Sequence, residues 1–418
     1  MGYRRRGWTV VASVGVVGLI WSGPASAATS PPLPEPAGTA TAGVMGNWGA
    51  PTSGVPGHGP RQDPKLKAAA DKAVKDGAQA IVARVDRKGP DLLAAAGARY
   101  PGRAAKAGVD DQFRIGSNTK SMVAVAVMQL VDKGVWSLET TVDQVWPGLI
   151  GEQGKKVTLH ELLQHSSGIP DGVTPALLSN VKEPTQAGLL AAMQVRYTPE
   201  EVLAASNAQP WSFEPGTKAE YSNTGYVVLG MLLEKVTGKK VADLLRERVF
   251  KPAGMWNTFY ATRPGMPRKA LMDTYTSTDG AHPLAGFDPE LFSTAGAVTS
   301  TTHDLNAFSK ALLTGRLVSK KSLAAMQTTR PVTLVPGVEP QPYGLGIYPL
   351  ADPCKAGAHM WGHDGATFGT FSVSYGSTDG KRQVSAGWTG RYYAADQTNA
   401  APPYDIAPVV NGALLASC

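Results

Sequence analysis

Ser117 and Lys120 stand three residues apart at the start of an apolar stretch, in the run Ser117-Asn118-Thr119-Lys120. In a helix, residues three apart lie on one face, so the hydroxyl and the amine can meet over one site. A serine hydroxyl is a weak nucleophile until a base takes its proton, and a helix N-terminus supplies positive potential and free N–H groups. The spacing therefore predicts that Ser117 is an acylated nucleophile and that Lys120 helps to activate it.

This four-residue spacing is weak evidence by itself, because the chain repeats it at Ser179-Asn180-Val181-Lys182, in a loop-like context. An isolated pattern of this kind is typical of an N-cap serine followed by a solvated lysine. Two further motifs supply the missing context. Tyr221-Ser222-Asn223 precedes a helical stretch, and Gly362-His363-Asp364-Gly365 lies in a region of strands.

In this order, Ser-x-x-Lys, Tyr-x-Asn and His-x-Gly resemble the motifs of the penicillin-recognising serine hydrolases, which include D-alanyl-D-alanine carboxypeptidases, class C β-lactamases and related esterases. The resemblance covers about residues 65–418 and is greatest to the secreted D-alanyl-D-alanine carboxypeptidases of actinomycetes. The flanking segments that support it are Phe113-Arg114-Ile115-Gly116-Ser117, His165-Ser166-Ser167-Gly168, Ser293-Thr294-Ala295-Gly296-Ala297-Val298 and Tyr343-Gly344-Leu345-Gly346.

The resemblance implies a role for each matching residue. Ser117 attacks a carbonyl group and is acylated, while Lys120 and Tyr221 share the removal and return of the proton. His363 takes the place of a lysine found in many relatives and donates toward Tyr221 and the leaving group. A normal lysine pKa near 10.4 must fall by about 3 units for Lys120 to act as a base near neutrality. The alternative is a charged Lys120 that stabilises Tyr221 as a phenolate, and the sequence leaves both open.

The resemblance also implies substrate-binding groups. Asn223 holds the substrate amide or assists Lys120. The backbone N–H groups of Ser117 and of Ala366, which follows Gly365, form the oxyanion hole. A positioned base contributes about 10²- to 10⁴-fold to the rate, and loss of one oxyanion donor costs about 3 kcal/mol, so neither part suffices alone.

Two departures from the family bear on the substrate. In the carboxypeptidases that this sequence resembles, a Thr shortly after the His-x-Gly glycine and an Arg on the strand after Tyr-Gly-Leu-Gly bind the terminal carboxylate of the peptide. Here these stretches read Ala366 and Ile347-Tyr348-Pro349-Leu350, so Lys355 or Arg391 would have to compensate. A buried carboxylate without a cationic partner is costly to desolvate. The departures therefore argue against efficient cleavage of free D-Ala-D-Ala ends.

The resemblance still implies first a D-alanyl-D-alanine carboxypeptidase-like hydrolase acting on peptidoglycan stem peptides or related small acyl substrates, with β-lactams as acylating ligands. An esterase, an amidase or a β-lactamase of the same family is the alternative, as is a protein that binds peptidoglycan or β-lactams without turnover. The intact trio of Ser117, Lys120 and Tyr221 argues against a pure binder. No cofactor is expected.

Other classes of function are disfavoured by the sequence. The two histidines of His160-Glu161-Leu162-Leu163-Gln164-His165 are five residues apart rather than four, so a zinc site is not expected there, and no metal is expected elsewhere. The chain has no Gly-x-Ser-x-Gly elbow of an α/β-hydrolase. Its formal net charge is +7, but no dense run of Lys and Arg marks a nucleic-acid binder.

Residues 1–27 have the pattern of a secretory signal peptide. Three arginines precede an apolar run from Trp8 to Ile20, and the small-residue site Ala25-Ser26-Ala27 follows. The run is about 13 residues long, whereas a membrane span needs about 20. We therefore expect a secreted, extracellular protein, associated with the cell wall if its basic charge favours an anionic envelope, and without a stable membrane span after cleavage.

Cys354 and Cys418 are the two cysteines of the chain. In an exported protein, an even count without metal-type spacing predicts one disulfide. This bond would tie the C-terminus to the core.

The elements that must position these residues come from both ends of the chain. Residues 28–64 are rich in Pro, Gly and Ala and predict a flexible leader. Residues 65–137 and 288–418 predict one α/β (α+β) domain, with an antiparallel sheet built from N- and C-terminal segments and flanked by helices, and residues 138–287 predict a mainly helical inserted domain. The predicted helices are 66–74, the segment after Ser117 as far as Gly134, and one from about Asp405; the predicted strands are 80–85, 91–96, 343–348, 371–375 and 383–388.

Overall fold

The computed structural model describes residues 61–394, 398 and 400–418. The predicted signal peptide, and the predicted leader up to residue 60, lie outside these residues. The last residues of the predicted leader belong to the fold, because Arg61–Gln62 form a strand. The first helix then begins at Pro64, where Asp63 accepts a hydrogen bond from Leu66 N at 2.9 Å as its N-cap.

The strands of the described residues are β1 Arg61–Gln62, β2 Ala80–Asp86, β3 Leu92–Gly97, β4 Phe113–Arg114, β5 Phe259–Tyr260, β6 Thr274–Ser277, β7 Gly280–Pro283, β8 Val298–Ser300, β9 Arg330–Val332, β10 Gln341–Tyr343, β11 Tyr348–Ala351, β12 His359–Ala366, β13 Thr370–Ser377, β14 Gln383–Thr389 and β15 Arg391–Tyr392. The α-helices are α1 Pro64–Lys75, α2 Asn118–Asp132, α3 Val142–Val145, α4 Leu159–Leu163, α5 Val173–Ser179, α6 Gln186–Ala192, α7 Pro199–Asn207, α8 Asn223–Thr237, α9 Val241–Leu245, α10 Lys251–Ala253, α11 Thr302–Leu313, α12 Lys320–Met326 and α13 Ala407–Ala416.

A seven-stranded sheet joins the two ends of the chain, in the order β1-β3-β2-β14-β13-β12-β11. Its neighbours run antiparallel, apart from β1 and β3, which are parallel. The two halves meet where β2 pairs with β14, with Ala83 opposite Ala386. The predicted antiparallel sheet from N- and C-terminal segments is therefore confirmed, with one parallel edge strand that was not foreseen.

The sheet buries both of its faces, as the alternation along β2 illustrates. Ile81, Ala83 and Val85 pack with α1 and α13 in one apolar cluster. Ala80 and Val82 belong to the larger cluster, which contains α2, α8 and the helical part of the chain. Because side chains alternate between the faces of a strand, both β2 faces are apolar and the sheet lies between two layers of helices.

Helix α2 is the centre of the larger core. Its residues Asn118 to Met128 and Leu130 are buried, as expected for a helix that is apolar on every side. The helix packs against α8 on one side and against β12 on the other. It thus connects the sheet to the helical region.

One expectation about the elements needs correction. The strand predicted for 343–348 is split, because β10 ends at Tyr343 and β11 begins at Tyr348. Between them Gly346 has φ +76°, and a Cβ there would lie 2.6 Å from Ala124 Cβ. The chain therefore turns against α2 instead of continuing as a strand. In the predicted helical segment 138–287, helices α3–α10 are followed by β5, β6 and β7.

The predicted disulfide is present: Cys354 and Cys418 are bonded. It links the segment between β11 and β12 to the end of α13. Within the part of the chain that the structure describes, every helix is too short or too polar to cross a bilayer. The same residues contain no group of three or more His, Cys, Asp or Glu side chains suited to a metal ion.

Candidate active site

Ser117 lies at the N-terminus of α2, where the backbone leaves β4 through a tight turn. Gly116 has φ +49°, and a Cβ there would lie 2.5 Å from both the N and O atoms of Ala366. Only glycine allows this approach between the turn and the end of β12. Ser117 itself is partly exposed, so a substrate can reach its hydroxyl.

Lys120 lies one helical turn further along and is fully buried. Its Nζ atom is 3.1 Å from Ser117 Oγ, 2.8 Å from Asn223 Oδ1 and 3.0 Å from the backbone oxygen of Ala295. Burial lowers the pKa of Lys120 to about 7, although the nearby carboxylates Asp171 and Asp364 act in the opposite direction. A substantial fraction of Lys120 is therefore a neutral amine near pH 7, as a base requires.

Tyr221 also contacts Ser117 Oγ. Its hydroxyl lies 2.7 Å from Ser117 Oγ, and its ring centroid is 4.7 Å from Lys120 Nζ. Burial raises the pKa of Tyr221 well above its usual value, even though the hydrogen bond with Ser117 lowers it. Tyr221 is thus a phenol in the resting site. Of the two protonation patterns left open by the sequence, this geometry favours a neutral Lys120 beside a protonated Tyr221.

Asn223 is the first residue of α8, and its amide links Lys120 to Asp171. Asn223 Nδ2 and the Asn223 backbone N–H donate to Asp171 Oδ2, at 2.8 and 2.7 Å. Asn223 Oδ1 then accepts from Lys120. In the free site Asn223 is therefore held against Lys120, which is one of its two predicted roles.

His363 does not form the expected hydrogen bond to Tyr221. Burial lowers the pKa of His363 to about 3, so its ring is neutral. Nδ1 donates to the backbone oxygen of Asp364, and Nε2 accepts from the Tyr343 hydroxyl at 2.9 Å. With both ring nitrogens engaged and a centroid distance of 6.5 Å to the Tyr221 ring, His363 reaches Tyr221 only through intervening groups.

The predicted oxyanion-hole residues lie side by side. Thr367 N donates to Thr370 O, on the side of β12 that faces β13. Because successive N–H groups of an antiparallel strand point to opposite sides, the Ala366 N–H points away from β13. On that side the pairing of β11 with β12 reaches only as far as Gly362. A Cβ on Gly365 would lie 2.7 Å from Ser117 N and 2.1 Å from Ile115 O. The backbone N–H groups of Ser117 and Ala366 can therefore converge on one oxygen beside Ser117 Oγ.

Neither cation suggested as a carboxylate anchor faces the site. Arg391 is 3% exposed and donates to the Thr367 backbone oxygen at 2.8 Å, so it supports the end of β12 from within the fold. Lys355 comes before His359, the first residue of β12, and a strand of this length places His359 about 23 Å from Ala366. The carboxylate anchor that the sequence lacks is therefore not replaced by these two residues.

Sequence reasoning did not assign a role to several groups that complete the site. Asp171, the backbone oxygen of Ala295 and the Tyr343 hydroxyl each contact a predicted site residue. His165, expected to pack or cap, lies with its ring centroid 4.2 Å from that of Tyr221. The signal that could have identified these residues is their position within or close to the flanking segments that support the family resemblance.

Known proteins resemble this chain in sequence and in fold. A family model described as Beta-lactamase matches residues 33–393. Penicillin-binding protein 4 of Amycolatopsis lactamdurans is 32% identical over 164 residues, which cover 38% of this chain and 39% of that protein. The D-alanyl-D-alanine-carboxypeptidase/endopeptidase AmpH of Escherichia coli is 24% identical over 236 residues, 56% of this chain and 57% of that protein. The matches thus cover 39% of the length of the first of these curated relatives and 57% of the second.

A solved structure matches over a longer range. The D-stereospecific amidohydrolase from Streptomyces sp. has a TM-score of 0.71 and 29% sequence identity. The match covers 85% of this chain and 99% of that chain.

Proposed function

This chain belongs to the beta-lactamase family, and on that premise we propose that it is a serine amidohydrolase that cleaves small acyl amides through an ester intermediate on Ser117. The observation that supports this most directly is the contact of one accessible hydroxyl with both a buried amine and a half-buried phenol. Ser117 Oγ lies 3.1 Å from Lys120 Nζ and 2.7 Å from the Tyr221 hydroxyl. A pure binding protein has no use for this arrangement.

In the acylation step, neutral Lys120 takes the proton of Ser117 as Oγ bonds to the carbonyl carbon of the substrate. The negative charge on the carbonyl oxygen is met by the backbone N–H groups of Ser117 and Ala366. When the intermediate collapses, the carbon–nitrogen bond breaks and Tyr221 gives its proton to the leaving nitrogen. The proton that Lys120 took from Ser117 is then returned to the Tyr221 phenolate, so that both residues regain their starting protonation states.

In deacylation, a water molecule attacks the ester carbon, and its proton passes to the Lys120–Tyr221 pair. The bond between Ser117 Oγ and the carbon breaks, and Oγ receives a proton from the same pair. Each residue thereby returns to its starting protonation state.

The leaving group distinguishes an amidohydrolase from a carboxypeptidase. Cleavage of a free D-Ala-D-Ala end would bring a carboxylate into the site, and an unpaired carboxylate there is costly. Arg391 is buried against Thr367, and Lys355 is distant. An uncharged leaving group avoids that cost, and the similarity to a D-stereospecific amidohydrolase over most of both chains supports the same choice.

We also propose that the protein is exported and acts on D-configured peptides or amides related to peptidoglycan. The signal-like residues 1–27 and the Cys354–Cys418 bond favour an oxidising compartment outside the cytoplasm. β-Lactams, whose ring is itself an amide, are the expected acylating probes.

The test measures hydrolysis of three matched substrates by the mature chain: a peptide ending in D-Ala-D-Ala, the same peptide as its C-terminal amide, and the amide with L-Ala at its end. Faster release of ammonia from the D-amide supports the proposal. Faster release of D-alanine from the free carboxylate would establish the carboxypeptidase alternative instead. Intact-mass analysis with benzylpenicillin, with Ser117→Ala as control, tests the ester. If no substrate is cleaved and no adduct forms on the wild type, the proposed function is wrong.

A further inference from the structure

Asp171 lies in the segment before α5, and its carboxylate and backbone oxygen together connect three parts of the helical region. Oδ1 accepts from Val173 N at 2.9 Å, at the start of α5. Oδ2 accepts from both nitrogens of Asn223, at the start of α8. Gln209 Nε2 donates to the Asp171 backbone oxygen at 3.0 Å. The carboxylate is therefore held in one place although it does not touch Lys120 or Ser117.

The chemistry of the two groups fixes how the Asn223 amide must face. A carboxylate only accepts hydrogen bonds, so the amide turns its Nδ2 group toward Asp171 and its Oδ1 toward Lys120. The opposite orientation would place oxygen against oxygen at Asp171 and N–H against N–H at Lys120. Asp171 thus excludes one of the two orientations of Asn223.

This orientation decides where the lone pair of Lys120 points. A neutral amine has two N–H bonds and one lone pair. Asn223 Oδ1 and the Ala295 backbone oxygen accept the two N–H bonds, at 2.8 and 3.0 Å. The remaining direction leads to Ser117 Oγ, at 3.1 Å. We propose that Asp171 is a positioning residue for acylation, which orients the Asn223 amide and, through it, the lone pair of Lys120 toward Ser117.

The proposal rests on the proposed role of Ser117 as nucleophile, and it must be separated from a purely structural role. Asp171 also caps α8, because its Oδ2 accepts from the backbone N–H of Asn223, the first residue of the helix. The side chain of the N-cap residue Ser222 makes no capping hydrogen bond. A cap supports stability, but does not by itself orient the lone pair of an amine on α2. The two roles therefore predict different effects on kcat.

The charge of Asp171 offers a second readout. The titratable groups that surround Lys120 are Tyr221, Tyr226, His165, His363, Asp171 and Asp364. The carboxylate of Asp171 favours the ammonium form, so its removal lowers the pKa of Lys120 further. This shift is measurable in the unreacted protein.

The experiment compares wild type, Asp171→Asn and Asp171→Ser with the control Asp132→Asn. Asp132 accepts hydrogen bonds from Ser319 and Ser322 at the far end of α2, so its variant loses a similar set of contacts away from the site. A serine at 171 keeps a hydroxyl that can bond to the N–H two residues on, as in an ST-turn, and loses the contact with Asn223. The readouts are the rate and affinity for the p-nitroanilide of D-alanine, the acid limb of its pH–rate profile, the titration of Lys120 by NMR with labelled lysine, and Tm.

We expect both Asp171 variants to lower kcat at least 30-fold with KM within about threefold, and to move the Lys120 titration and the acid limb to lower pH. Asp132→Asn should lower Tm by a similar amount and leave kcat and the titration unchanged. Wild-type kcat in folded Asp171→Asn or Asp171→Ser, or an unchanged Lys120 titration, would overturn the proposal. If Asp171→Asn does not fold, Asp171→Ser decides by the same criteria. If the wild type itself forms no ester with any probe, the proposed function is wrong, whereas the Lys120 titration still reports on Asp171.

Discussion

The Tyr221 hydroxyl lies 2.7 Å from Ser117 Oγ, and the amine of Lys120 lies 3.1 Å from the same oxygen. Burial acts on the two neighbours in opposite directions, because it disfavours the charged form of each. The pKa of Tyr221 is raised well above its usual value, and that of Lys120 is lowered to about 7. The site therefore holds a proton acceptor and a proton donor around one nucleophile.

We predict that acylation slows as Lys120 becomes protonated. The neutral amine is the base, so the rate is half-maximal near pH 7, approaches its plateau about one pH unit higher, and falls about tenfold per pH unit well below pH 7. Because Tyr221 stays protonated, no basic limb follows below about pH 9. Stopped-flow acylation by a chromogenic cephalosporin between pH 5 and 9 measures this. A rate that increases toward low pH would contradict Lys120 as the base.

Tyr221→Phe should separate proton donation from nucleophilic attack. Loss of the hydroxyl removes the proton donor for the leaving nitrogen, so amide hydrolysis should fall about 10²- to 10⁴-fold. A p-nitrophenyl ester, whose leaving group needs no proton, should lose much less. Tyr404→Phe removes a buried hydroxyl that donates to Gly390 O at 3.0 Å, and it serves as the matched control with normal activity. Equal losses on both substrates would refute this role for Tyr221.

Gly365→Ala should disable the oxyanion hole and destabilise the fold. A methyl group there would lie 2.1 Å from Ile115 O and 2.7 Å from Ser117 N, so β12 and the start of α2 must move apart. We expect at least a 100-fold loss of acylation together with a lower Tm. Gly412→Ala in α13 meets only the end of the Leu66 side chain at 3.2 Å and should keep full activity. Normal acylation by Gly365→Ala would show that this close approach is unimportant.

Removal of the disulfide should lower stability without changing the site. Cys354 and Cys418 are 64 positions apart, and a loop of that size corresponds to about 4 kcal/mol in the chain-entropy treatment. The variant Cys354→Ser/Cys418→Ser should unfold at lower denaturant concentration and, while folded, retain kcat. Thiol counting on the unfolded, unreduced wild type should give none. Two free thiols would disprove the bond.

Much of this architecture could be predicted from the sequence, because the decisive signals are local. The spacing of Ser117 and Lys120 depends only on helix geometry, and the apolar character of α2 indicates that it is buried. The strand patterns of β2, β13 and β14 gave their positions within two residues. The order of the motifs indicated which parts of the chain meet.

The remaining features depend on contacts that the sequence does not encode locally. The atom of Ala295 that accepts a hydrogen bond from Lys120 is a backbone oxygen, which every residue possesses. His363 was expected from the resemblance to donate toward Tyr221, and in the free site its Nε2 accepts from the Tyr343 hydroxyl. This partner depends on how the end of β10 lies against β12, which a local pattern does not report.

The pairing of β2 with β14 has a consequence for the order in which the molecule can become active. The strands are about 300 positions apart, and β12, which supplies the Ala366 N–H, also follows the nucleophile by more than 240 positions. A nascent chain that has emerged as far as the Tyr221 motif already displays serine, lysine and tyrosine, yet lacks the sheet against which α2 packs. Such long-range closure makes folding slow and late. We therefore expect hydrolytic activity to arise only after the chain has been synthesised as far as β14.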